Sequence, residues 1–372
     1  MLFIPHKHLY ISGTSYVSSD EPDYKEVITD ANSRRRMGRL LKMAVWCGLK
    51  SLDGVPSEMV AGIITSTGAG FMKDTISFGS SIFDREETLL NPSPFMQSTF
   101  NTASGYIALI RKIHAYNTTY VQQADGFAAS LVDAAMLLDD AGEGNVALVG
   151  AFDEVTPEVD VIRQRLGLYR VGDGFLPLGE GAAAFLLSAA MPTDVSESCR
   201  ATEMSAGPGG DDSSESDSGR GGDEAGSESD SGRGGDANSE CSTGPLRESE
   251  SASRPCDEFG SESSSEPLHE YGGTSSRSLN GTKDGNAALR FCGLANLSDL
   301  PKCAGNPIAE LFGINAGVNV ISCADHVESL GAFRSLLPVL LCKLISEQQI
   351  PDGYTAIVDD VNEDGVIVLL HK

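Results

Sequence analysis

The chain reads as an α/β protein, a mainly parallel sheet layered with helices, and three observations predict this. Strand-like apolar runs alternate along the chain with helical patterns. Several of those runs, such as Asn145–Ala151 and Ala182–Ser188, are continuously apolar, as strands covered on both faces are. The 372 residues are 40% hydrophobic, enough for a large core.

Leu9 to Thr14 is a strand that ends in a turn at Gly13. Asn32 to Leu52 reads as one helix, capped by Asn32 or Ser33, with Met37, Leu40, Leu41, Ala44, Val45 and Leu49 on one face. Ala61 to Gly68 is a buried strand stopped by glycine. Asn101 to His114 is a helix with Asn101 as its N-cap. Thr118 to Gln123 is rich in β-formers. Gly126 to Asp139 is a helix so apolar on most sides that burial nearly all round is expected. Asn145–Ala151 is a central strand and Ala182–Ser188 another. Further on, Val318–Ser322 is a strand and Gly331–Glu347 an apolar helix. Tyr354–Asp360 and Gly365–Leu370 form a hairpin turned at Asn362–Gly365.

Composition divides the chain into residues 1–191, 192–288 and 289–372. The middle zone holds 21 acidic and 7 basic residues of a chain whose net charge is −26. It repeats SESDSGRGGD at Ser214–Asp223 and Ser227–Asp236. Such a segment cannot bury enough apolar surface to offset backbone ordering, so it is expected to be a disordered acidic insertion. The acidic balance argues against nucleic acid or an anionic membrane surface as partner. No run of 18 apolar residues exists to span a membrane. The start, Met1 to His8, reads as a first strand and not as a secretory signal, which makes a cytoplasmic location the expectation. Eight cysteines are scattered without metal-ligand spacing, and no metal or cofactor is expected.

Two segments carry the most specific pattern. Ala124-Asp125-Gly126-Phe127-Ala128-Ala129-Ser130-Leu131 is a strand-to-helix turn. Arg170 to Leu187 contains Gly179-Glu180-Gly181-Ala182, glycines flanking a carboxylate at a strand entry. Together they resemble the N-terminal half of a β-ketoacyl synthase, a condensing enzyme of the thiolase superfamily. The segment Arg34-Arg35-Arg36-Met37-Gly38-Arg39 and the loop Asn91–Gly105 resemble further parts of that half, and NVALVGAFDE (Asn145–Glu154) resembles its strand and acidic turn. Read without the family, the arginine segment is a basic helix start on a solvated face. The resemblance implies a thiolase-like layered αβαβα fold with two related halves, the second shortened and preceded by the insertion.

In that family the turn carries the acyl-accepting cysteine, followed by small residues and Ser-Leu. Counting back from Ser130-Leu131, that position falls on Phe127. A thiolate belongs at a helix N-terminus, where free N–H groups and the macrodipole lower its pKa. Phe127 has no lone pair with which to attack a thioester, and no cysteine lies between Cys47 and Cys199. Ser130 is one turn further in and is read as a packing residue. Glu180 is read as structural, bonded to backbone or to an arginine. His326, in Asp325–Phe333, is the candidate for the family's histidine before a Gly/Ala-rich helix; the other reading is an ordinary loop histidine. Val358–Gly365 replaces a Gly-rich turn of the family with an acidic one, and Cys323 is read as a buried strand-end thiol.

The resemblance thus implies a subunit of fatty acid, polyketide or polyene-type biosynthesis of the chain-length-factor kind. It would form a heterodimer with an active ketosynthase, or a homodimer, and meet acyl chains on acyl carrier protein. An active acyltransferase using His326 or another group, and a stand-alone acyl-binding scaffold, are the alternatives.

Overall fold

The structure, a computed structural model, describes residues 2–122, 125–142, 144–190, 276–278, 288–303, 305–362 and 364–372, with the backbone alone for 276–278. The first half carries the strands β1 (Leu2–Phe3), β2 (Leu9–Val17), β3 (Val60–Ser66), β4 (Tyr116–Tyr120), β5 (Val146–Asp153), the small hairpin β6 (Arg170–Val171) and β7 (Gly174–Phe175), and β8 (Gly181–Ser188). Its helices are α1 (Ala31–Arg36), α2 (Arg39–Ser51), α3 (Met72–Asp84), α4 (Pro92–Gln97), α5 (Thr102–Arg111), α6 (Asp125–Ala141) and α7 (Pro157–Leu166). After β9 (Ser276–Ser278) come β10 (Arg290–Asn296), α8 (Pro307–Leu311), β11 (Val318–Ser322), α9 (Val327–Leu330), α10 (Leu336–Ser346), β12 (Tyr354–Val358) and β13 (Val366–His371).

The hydrogen-bonded strand order is β11-β12-β13-β10-β2-β8-β5-β3-β4. Within it one pattern occurs twice. In the first half β3 pairs parallel with β5, β5 antiparallel with β8, and β8 antiparallel with β2. In the second half β11 pairs parallel with β12, β12 antiparallel with β13, and β13 antiparallel with β10. The halves are therefore repeats of one unit. Beside β3 lies β4, in parallel; beside β11 no equivalent strand stands among the described residues. The second half is the shorter one.

Alternation along the strands explains the layers. On β8, Ala182, Ala184 and Leu186 face one core with α2, while Ala183, Phe185 and Leu187 face another with α6 and α10. On β13, Val366, Val368 and Leu370 join that same inner core, and Ile367 and Leu369 face a third core with Ile308 of α8. Among the described residues the two halves of the sheet are joined where β10 meets β2, at Tyr10–Arg290 and Leu9–Phe291, and where it meets β1, at Leu2–Ala295 and Phe3–Leu294. Both halves thus turn one face to a shared inner layer of α6 and α10, giving the order α, β, α, β, α of a thiolase-like fold.

The sheet is mixed, not mainly parallel; apolarity marks a strand as covered on both faces but carries no information about pairing direction. The expected helix Asn32–Leu52 is two helices. Met37 is extended at the break, and the Gly38 N–H donates to Gln97 Oε1 at 3.0 Å, away from any helical carbonyl. Asp30, not Asn32 or Ser33, caps α1 by accepting from the Ser33 N–H. β2 does not turn at Gly13 but runs through it to Val17, with a register shift between Ile11 and Gly13. Asn101 stands at the cap of α5 without a side-chain bond to it. The expected insertion, 192–288, lies outside the described residues except for Ala288 and for β9, which pairs antiparallel with Gly13–Ser15. No helix among the described residues is long and apolar enough to cross a membrane.

Candidate functional site

The loops that follow β3, β5, β11 and β12 meet the start of α6 and the start of α10. Asp153, the last residue of β5, is buried and anchors this region. Its Oδ1 accepts from the Gly68 N–H (2.9 Å), the Ala69 N–H (3.1 Å) and the Thr67 hydroxyl (3.0 Å). Its Oδ2 accepts from the Ser335 hydroxyl (2.6 Å), just before α10. One carboxylate therefore ties the two halves together. Burial raises its pKa above the usual aspartate value, and the four donors work against that rise.

The second half repeats the device. Asp360, two residues past β12 as Asp153 is two past the paired end of β3–β5, accepts from the Ser322 hydroxyl (2.5 Å) and the Ala324 N–H (2.9 Å). Beside it, buried Asp359 accepts from Asn362 Nδ2 (2.7 Å), and Asn362 Oδ1 accepts from the Tyr169 hydroxyl (3.1 Å). The acidic turn thus reaches back to the first half. Asp364 also faces Asp125 at the head of α6; partial desolvation, then this neighbouring carboxylate, hold the Asp125 carboxyl above its usual pKa.

Glu180 takes the role expected of it. Its carboxylate pairs with Arg39 and lies 3.5 Å from the Val155 N–H. The glycines around it are needed for contact: a Cβ on Gly179 would lie 1.9 Å from the Leu330 carbonyl oxygen. There the segment Pro177–Gly179 runs against Gly331–Ala332, with the Ala332 N–H donating to the Pro177 carbonyl at 2.7 Å. Arg39 follows the break between α1 and α2, so that break aims the arginine at Glu180.

Phe127 lies in the first turn of α6, 4% exposed, with its ring 5.4 Å from that of Phe185 at 40°. It faces the inner core. Gly126 lets this helix head sit on β3, where a Cβ would approach that of Ser66 to 3.2 Å. The buried Ser130 hydroxyl donates to the Gly126 carbonyl at 2.8 Å and is held within the helix. The opposite face of α6 is not buried: Met136 is 62% exposed, against the expectation of burial all round. An open groove of about 440 Å³ runs along it, lined by Ala128, Ala129, Val132 and Met136 with polar groups at its rim. Phe127 is not among the lining residues.

His326 is half-buried on a short 3₁₀ turn between β11 and α9. Its backbone bonds Cys323 and Ser329, and its ring makes no hydrogen bond or ring contact among the described residues. No described interaction joins it to Phe127. Cys323 is fully buried at the end of β11, as expected, and burial raises its thiol pKa well above the usual range. Cys47 and Cys342 are likewise buried and raised by desolvation. No group of three or more His, Cys, Asp or Glu among the described residues could hold a metal ion.

The description "Beta-ketoacyl synthase, N-terminal domain" matches residues 14–203. The chain belongs to that family. No curated protein matches it. Among solved structures, this β-ketoacyl synthase-like chain is similar to "The ishigamide ketosynthase/chain length factor", with a TM-score of 0.55 at 12% identity, covering 98% of this chain and 99% of the other. It is similar to the same extent, TM-score 0.55 at 13% identity over 98% and 99%, to "AntDE:AntF (apo): type II PKS acyl-carrier protein in complex with its ketosynthase bound to the hexaketide". At these identities the likeness shows the fold alone. The staple at Asp153 and the network behind Asp359 escaped sequence reasoning. An aspartate at a strand end followed by another acid was the available signal, but its donors come from loops distant in sequence.

Proposed function

We propose that this chain is a non-elongating, chain-length-factor-like subunit that pairs with a cysteine-bearing ketosynthase and walls one side of the space holding an acyl chain delivered on acyl carrier protein. The reading rests on Phe127. A helix head built for a nucleophile carries a phenyl ring packed on Phe185, and the hydroxyl one turn further in, that of Ser130, is committed to its own helix. The cysteines buried elsewhere, Cys47, Cys323 and Cys342, have thiols suppressed by burial. The wall would be the outer face of α6, with its row of small apolar side chains, and not Phe127 itself.

A surface for the partner adjoins that wall. β4 is one open edge of the sheet among the described residues. Tyr116 on β4 and Leu109 on α5, which packs beside it, are exposed apolar side chains of the kind an interaction face carries. His326 enters this reading as a loop histidine, without a catalytic role.

The purified chain, given malonyl and acyl groups on carrier protein, is expected to form no condensation product; product formed by this chain alone would overturn the proposal. A cysteine-bearing ketosynthase is expected to co-purify with it. Phe127→Cys probes the register: the new thiol at the head of α6 is expected to be alkylated by a cerulenin-like epoxide, and a thiol that iodoacetamide reaches in the folded variant but the epoxide does not would show that Phe127 does not stand at the nucleophile position.

A further inference from the structure

We infer that the groove along α6 selects an acyl chain bearing keto or hydroxyl oxygens over a saturated one, with Gln122 and Asn296 as the selecting residues. This rests on the reading that an acyl chain lies against α6.

The groove has two chemically distinct parts. Its floor is Ala128, Ala129, Val132 and Met136, successive positions on one helix face that accept an unbranched chain of any composition. Its rim is polar, and the polar groups differ in what they have left to offer. Tyr120 and Tyr116 both donate to Asp133 Oδ2, at 3.1 and 3.0 Å, so these phenols are committed. Asp133 and burial push the Tyr120 hydroxyl up to about 12, burial being the larger cause, so it stays a phenol at neutral pH.

Gln122 and Asn296 are different. Neither side-chain amide makes a hydrogen bond among the described residues. They come from opposite halves of the fold, Gln122 from just past β4 and Asn296 from the end of β10, and meet at the same groove. In the open groove water satisfies both. A saturated chain lying over them displaces that water and leaves both amides unpaired, whereas chain oxygens accept from their NH₂ groups. A site built to hydrogen-bond its ligand discriminates most sharply against the analogue that lacks the matching atoms. The volume of about 440 Å³ lies within the range of small-ligand sites.

The test is isothermal titration of the full chain with two stable probes of equal length, the pantetheine amides of decanoic acid and of 3,6-dioxadecanoic acid. The dioxa probe is expected to bind about tenfold tighter, the return for roughly one net hydrogen bond. In the double variant Gln122→Leu, Asn296→Leu that preference is expected to vanish; Gln122→Leu alone, at an exposed position, is expected to reduce it. Equal binding, tighter binding of the decanoyl probe, binding of neither, or a preference that survives both substitutions would each overturn the inference. Co-purification with a ketosynthase is read separately. If it persists while the selectivity fails, the subunit reading stands and only the choice of chain is wrong.

Discussion

Asp153→Ala is expected to lower stability by about 3–5 kcal/mol, the range for removing one member of a buried charged network. The variant strands four donors at once: the Gly68 and Ala69 amides and the Thr67 and Ser335 hydroxyls. Thr67 and Ser335 are buried with Asp153, so their hydroxyls are cut off from water, while the half-buried Gly68 and Ala69 lose the acceptor that fixes their loop. Urea denaturation monitored by circular dichroism measures the loss. Asp153→Asn separates shape from charge. Its oxygen can still accept three bonds and its amide can donate to Ser335, so a cost of about 1 kcal/mol is expected. A loss as large in the Asn variant as in the Ala variant would show that the negative charge, not the bonding, does the holding.

The same pair of variants reports on pH. Burial raises the native Asp153 pKa above its unfolded value of about 3.9. The folded protein therefore holds that proton more tightly than the unfolded chain does. Its stabilising effect is complete below the unfolded value and is lost as pH climbs through the raised native one. Stability of the natural protein should thus fall with rising pH across that window. Asp359, raised mainly by burial as well, contributes with the same sign. The slope is expected to become shallower, not flat, in Asp153→Asn.

Gly331→Ala is expected to cost about 3 kcal/mol or more, from two separable causes. Gly331 has φ 76° and ψ 163°, a region that side chains avoid. An added Cβ would also lie 2.3 Å from the Gly179 nitrogen, where two backbones cross. Gly172→Ala is the control. It has φ 57° but no atom within 4 Å of an added Cβ, so only the backbone penalty of about 1–2 kcal/mol applies. Equal denaturation midpoints for the two variants would mean that the crossing at Gly179 relaxes freely.

What could be read from the chain alone was local or carried by a spaced motif. The runs at β3, β5 and β8 announce themselves because all but their last one or two residues are apolar or glycine and a further glycine lies in or close to each. The Glu180 pairing was legible because glycines on both sides of a carboxylate imply a backbone crossing. Other features depend on partners far away in sequence. Gln97 takes the Gly38 N–H, and between Asn32 and Leu52 a glycine at 38, which a helix can tolerate, is a weak sign that the helix stops there. α6 looks buried all round from its composition, yet alanine and methionine are tolerated equally well on an open face. The Asp153 staple joins residues from Thr67 to Ser335, a span no local pattern records.

The junction of β2 with its neighbours also sets the order in which the molecule can assemble. β2 is made well before β8 and β10, yet Ile11 pairs with Leu187 and Leu9 with Phe291, and the inner core is closed by α10 later still. A ribosome therefore releases β2 long before any strand that can cover it. Loop closure on this scale is slow, and an unpaired strand is open to wrong partners while it waits. A truncation that removes only α10 and the final hairpin would leave most of the sheet written in the chain and still deprive it of the layer on which both halves close.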